Sequence, residues 1–105
     1  MIFIEASAFE RMREAYLNDD QYRLLQAALM ADPESGDFIR GSGGIRKVRW
    51  AIPGKGKRGG LRVIYYWITK RRHLLLLTLY RKSEVSDLTP KEVAALRVLV
   101  KGLEE

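Results

Sequence analysis

The 105-residue chain has no cysteine, one histidine (His73) and three prolines. The missing thiols exclude disulfides and thiolate chemistry, as expected of a protein in a reducing cytoplasm. A lone histidine leaves zinc without a ligand set, so no metal or cofactor is expected. No apolar run approaches the ~20 residues of a membrane helix, and no signal peptide is evident, so neither membrane attachment nor export is expected. The length suits one domain over residues 1–105, burying roughly 65% of its unfolded surface without a metal or crosslink.

Acidic residues are also missing from the middle of the chain. Residues 38–83 hold 13 of the 19 lysines and arginines and none of the 13 aspartates and glutamates; eight acids precede this block and five follow it. The net charge of +6 and pI near 9.8 therefore understate the asymmetry. A long block of one sign creates a field that attracts polyanions, and nucleic acid is the partner it suits.

Ile2-Phe3-Ile4 reads as a short strand. Ser7 with Glu10 predicts a capping box opening a helix to about Leu17, with Phe9, Met12 and Tyr16 on one stripe. Asn18 with Gln21 repeats the device and opens a second helix to about Ala31, its stripe formed by Tyr22, Leu25 and Leu29 with Leu24 and Ala28. Gly41-Ser42-Gly43-Gly44 reads as a flexible connection into a strand over residues 45–51. Arg62–Thr69 and His73–Tyr80 are apolar on both faces, which predicts central strands joined by a turn at Lys70-Arg71-Arg72. Thr89-Pro90-Lys91-Glu92 sets an N-cap, a first-turn proline and a capping glutamate, opening a last helix with Val93, Leu96, Leu99, Val100 and Leu103 as its stripe. The order β-α-α-β-β-β-α gives an α+β fold, its consecutive strands pairing antiparallel.

The familiar catalytic kits are absent. Gly54-Lys55-Gly56-Lys57 lacks the following Ser or Thr and the preceding strand of an ATP-binding P-loop. What remains is a set of cations and a phenol: Lys55, Lys57 and Arg58 in a glycine-rich loop, Arg62 opening a strand, and Tyr80, Arg81 and Lys82 closing the next. In a hairpin whose paired residue numbers sum to about 142, Arg62 lies opposite Tyr80, and the loop meets the Tyr80–Lys82 end at one rim of the sheet. Such a cluster suits metal-free RNA cleavage by the RNA's own 2′-hydroxyl, with preorganised cations stabilising charge on the phosphoryl oxygens. Arg62, on a rigid strand, fits that role, assisted by Lys55 and Lys57. Crowding by cations favours proton loss from a lysine, which admits Lys57 or Lys82 as the base, or Tyr80 as a relay. Arg46, Lys47, Arg49, Arg58 and Arg81 extend the expected RNA surface. Trp50 and Trp67 read as core residues rather than base-stacking platforms.

Three stretches carry a family resemblance: Gly43-Gly44-Ile45-Arg46-Lys47-Val48-Arg49-Trp50-Ala51, the run from Lys55 through Gly59-Gly60-Leu61-Arg62 to Tyr66, and Leu77-Thr78-Leu79-Tyr80-Arg81-Lys82. Together the chain resembles the HigB branch of the RelE/ParE toxin superfamily of type II toxin–antitoxin modules. The resemblance implies a RelE-like fold, an antiparallel sheet packed by an N-terminal helical hairpin and a C-terminal helix. It implies a ribosome-dependent endoribonuclease that cuts mRNA in the A site of the 70S ribosome and blocks translation, with Lys55, Lys57, Arg62, Tyr80 and Lys82 as its site. The implied partner is a HigA-type helix-turn-helix antitoxin, through which the toxin contacts operator DNA indirectly. Some members use a tyrosine near the start of the last helix. Here that region reads Ser86-Asp87 and Thr89, so Tyr80 serves or the proton role lies elsewhere. The competing readings are a ParE-like gyrase inhibitor on the same fold and a non-catalytic RNA-binding module.

Overall fold

A computed structural model describes residues 1–52, 60–85 and 87–104. The elements run β1 (Ile2–Glu5), α1 (Ser7–Tyr16), α2 (Asp19–Ala31), β2 (Asp37–Phe38), β3 (Arg46–Ala51), β4 (Gly60–Ile68), β5 (His73–Arg81) and α3 (Pro90–Glu104). The strands form one sheet in the order β1-β5-β4-β3-β2. From β2 to β5 neighbours pair antiparallel, as short links dictate, whereas β1 lies parallel to β5 and makes the sheet mixed. Two helices separate β1 from the later strands, and so long a connection permits a parallel partner that a tight turn forbids.

The sheet is apolar on both sides because helices cover both. Phe9, Leu17, Tyr22, Leu25 and Leu29 from the α1–α2 region pack with Leu61, Val63, Tyr65, Leu74, Leu76 and Leu79. On the opposite face, Val100 and Leu96 of α3 pack with Ile45, Ile64, Leu75, Leu77 and Tyr80. Each fully buried leucine removes enough apolar surface from water to stabilise the fold by roughly 1.5–3 kcal/mol. Pairing of β4 with β5 shifts between Ile64 and Tyr65: Ile64 faces Thr78 and Tyr65 faces Leu76, so Leu77 is the additional residue of a bulge.

Capping boxes form at two of the three expected places. Asn18 and Gln21 bond reciprocally, as do Thr89 and Glu92. At α1 the N-cap is Ala6, with no side-chain cap, and Ser7 already lies inside the first turn. The Ala6 N–H donates to the Leu76 carbonyl while its own carbonyl accepts from Glu10, so the sheet fixes the helix start one residue early. The stripes are narrower than expected, with Leu24, Ala28, Leu99 and Leu103 exposed.

The Gly41–Gly44 segment is an ordered turn closing the β2–β3 hairpin. Gly41, Gly43 and Gly44 take positive φ, which glycine adopts without Cβ strain. The buried Ser42 hydroxyl donates to the Ile39 carbonyl at 2.6 Å and accepts from the Ile45 N–H at 3.0 Å.

Tyr65 ties the end of α2 to the sheet. Its fully buried hydroxyl donates to the Pro33 carbonyl at 2.8 Å and accepts from the Gly36 N–H at 2.9 Å. A Cβ on Gly36 would lie 2.9 Å from that ring, so glycine is required there. Tyr65→Phe strands a buried donor and a buried acceptor, and urea denaturation is expected to show a loss of about 1–3 kcal/mol. An unchanged midpoint would show that water replaces the phenol.

Candidate nucleic-acid interface

Three strands carry a lateral row of polar residues across the sheet. Arg49 on β3 pairs with Arg62 on β4, and Arg62 pairs with Tyr80 on β5. Directly paired residues share a face, their Cβ atoms about 4.5–5.5 Å apart, and Lys47 joins that face two positions along β3. Arg49 is exposed, Arg62 half-buried and Tyr80 only 6% exposed. Like charges directly opposite one another repel, and neither Arg49 nor Arg62 has a carboxylate partner among the described residues. A phosphate group would relieve that repulsion.

Asp87 approaches the row from the segment before α3. Its Oδ1 lies 3.4 Å from the Lys47 ammonium and accepts from the Leu88 N–H at 2.8 Å. That backbone hydrogen bond, with the lysine, holds its carboxyl below the usual range. Beneath it the Tyr80 hydroxyl is shut away from solvent and meets no hydrogen-bond partner of good geometry among the described residues. Burial pushes the Tyr80 phenol up, the nearby Asp87 carboxylate adds to this, and the Arg62 guanidinium opposes it. Asp87 is the member of the site that the sequence reading missed. Its only local signal is an acid just ahead of the Thr89 cap.

The structure brings together Arg62, Tyr80, Arg49 and Lys47 but not every candidate. Arg46 and Arg81 pair with Tyr65 and Leu61, on the α1–α2 face. Arg46 donates to the carbonyls of Glu34 and Gly36 and stacks 3.9 Å from the Phe38 ring centroid. Arg81 sits over the Tyr16 ring and pairs with Glu84 at 3.7 Å. Both guanidiniums hold structural contacts away from the row. Lys82 is exposed in the turn after β5, at the same sheet end as Arg62 and Tyr80. Lys55, Lys57 and Arg58 lie outside the described residues. Trp50 and Trp67 pack against the α1–α2 core, as strand aromatics do. Among the described residues no group of three histidines or carboxylates could hold a metal, and no helix is long and apolar enough to cross a membrane.

Comparison with known proteins finds relatives of the chain. A sequence profile described as the RelE toxin of the RelE/RelB toxin–antitoxin system matches residues 1–105. Among solved structures, the chain is similar to the E. coli toxin RelE, determined as an arginine-to-alanine double mutant in the free state. The TM-score is 0.55 at 16% identity, covering 92% of this chain and 93% of that one, a likeness of fold.

Because Tyr80 holds its proton more tightly when folded, its contribution to stability is present below the free phenol's ~10 and disappears as pH rises through the folded value. Asp87→Asn removes the carboxylate's share and leaves the larger effect of burial. The Tyr80 midpoint, read by NMR of ring-labelled tyrosine, is therefore expected to fall while staying above the free value. A midpoint unmoved by the substitution would separate the two groups.

Proposed function

The chain belongs to the RelE toxin family, and from that premise we propose that it is a HigB-type toxin that cleaves mRNA in the ribosomal A site without a metal. The observation that carries the reading is the Arg49–Arg62 pair: two cations held opposite each other on a rigid sheet, with no described acid to neutralise either. In the reaction the 2′-oxygen attacks the adjacent phosphorus and the bond to the 5′-oxygen breaks, leaving a cyclic phosphate and a free 5′-hydroxyl. The 2′-hydroxyl gives up a proton and the departing 5′-oxygen gains one. Arg62 faces the phosphoryl oxygens as charge builds there, and preorganisation on β4 removes the cost of orienting it.

Lys55 and Lys57 assist, and Lys57 or Lys82 serves the proton transfers. Tyr80, enclosed beneath Asp87, acts through its neighbours in this state rather than by touching RNA. Arg49, Lys47 and Arg58 bind the flanking backbone. Arg46 and Arg81, expected from sequence on the RNA surface, keep their contacts on the other face and stand apart from the row. The partners in this reading are the ribosome with its mRNA in the cytoplasm, and a HigA-type antitoxin that carries the DNA contact.

Arg62→Ala is expected to abolish growth arrest on induction while circular dichroism and the melting curve stay those of the unsubstituted protein. Cleavage on translating ribosomes, followed by primer extension, should fall by ~10²–10³. Full toxicity in folded Arg62→Ala would reject the role. DNA damage without mRNA cuts would move the protein to the gyrase-inhibiting class, and steep salt dependence of RNA binding with no toxicity would leave a binding module.

A further inference from the structure

A groove of about 400 Å³ opens beside the row, between the N-terminal half of α3 and the β2–β3 hairpin. Ile39, Leu88, Val93 and Ala94 contribute its apolar walls, and Arg40 and Arg97 bring positive charge to it. Lys47 and Asp87 line it too, so it is continuous with the Arg49–Arg62–Tyr80 row. The Arg97 guanidinium reaches the Gly41 carbonyl at 3.3 Å, bracing the helix against the turn. Neither Arg40 nor Arg97 meets a carboxylate among the described residues.

These features match the chemistry of one nucleotide. A nucleobase has apolar faces for apolar walls and polar edges for a few placed groups. Its backbone is anionic, which suits Arg40 and Arg97. The carboxylate of Asp87 accepts hydrogen bonds only, so it favours a base that presents an amino group, as cytosine does. The spacing fits as well. Lys47 precedes Arg49 on the same face by two residues of about 3.4 Å each, a step on the scale of successive phosphates in extended RNA. A phosphate at Arg49 and Arg62 therefore places the neighbouring nucleotide at Lys47, at the groove's entrance. An acidic peptide also answers to positive charge, but it has no use for so short an apolar slot with a carboxylate in its wall.

We propose that this groove holds the base of the nucleotide adjoining the scissile phosphate and selects bases carrying an exocyclic amino group. The inference rests on the reading of the arginine row as the cleavage site, and its test keeps the two apart. The purified full-length protein is titrated with 2′-O-methyl trinucleotides, which it cannot cleave, and followed by amide NMR and fluorescence anisotropy. The expected result is shifts at Ile39, Leu88 and Val93, with a cytosine-containing probe binding about tenfold more tightly than its uracil counterpart. Ala94→Trp fills the slot from an exposed position and should weaken binding about tenfold. Arg97→Glu should weaken all probes alike and lower the salt slope by about 1. Shifts confined to Arg49 and Arg62, equal affinity for both probes, or unchanged binding by folded Ala94→Trp would overturn the proposal. So would an acidic peptide that saturates the groove where trinucleotides do not. Groove shifts in a protein that leaves ribosome-bound mRNA intact would support a nucleotide site and count against the nuclease reading alone.

Discussion

The register of β4 against β5 is the constraint on which the rest of this protein depends. Both strands are buried on both sides, so a slip by one residue would exchange the two sets of side chains between faces. Leu61, Val63 and Tyr65 would leave the α1–α2 core, and Arg62 would be driven into it. The loss of several buried apolar groups, with a guanidinium desolvated in their place, makes a one-residue slip untenable. The same hydrogen bonds that fix the core therefore fix Arg62 beside Tyr80 and opposite Arg49. The bulge at Leu77 belongs to this logic. It resets the alternation of β5, so that Leu76 and Leu79 point to one core while Leu77 and Tyr80 point to the other.

A rigid sheet can hold charges in an arrangement they would not choose. Arg49 and Arg62 lose favourable energy by lying opposite each other, and the surrounding core over-determines their positions. The other cations of the basic block are placed differently. Arg46 meets two carbonyls and an aromatic ring, Arg81 meets a ring and a glutamate, and Lys47 meets Asp87. Among the described residues, Arg49 and Arg62 differ from these in meeting no carboxylate. Composition locates the basic block, but only the fold separates the cations that meet acids, rings or several carbonyls from those that do not.

What could be read from the sequence was what local rules govern. The summed numbering of the hairpin put Arg62 opposite Tyr80, and the caps at Asn18 and Thr89 formed because each side chain needs only its own turn. The Ser7 cap failed because the Leu76 carbonyl, nearly seventy residues away, captures the Ala6 N–H. Leu24, Ala28, Leu99 and Leu103 fit helical spacing, yet they face solvent. The parallel seat of β1 and the ordered serine-glycine turn also arise from contacts invisible to spacing. Asp87 illustrates the limit for the site. Nothing near it in sequence announces Lys47 or Tyr80, which lie about 40 and 7 residues away on β3 and β5.

The last helix and the segment before it have two functions at once. Val93, Leu96 and Val100 cover the second apolar face, while the residues leading into the helix carry Asp87 over Tyr80. The Thr89–Glu92 capping box holds the helix start, and thereby the carboxylate, against β3. Further along, Arg97 reaches the hairpin turn, donating to the Gly41 carbonyl across the groove. A helix whose outer surface includes the exposed Val98 and Leu99 is not anchored by burial alone. The helix and the segment before it also reach the turn and the sheet through the Arg97–Gly41 hydrogen bond and the Asp87–Lys47 pair, which border the groove.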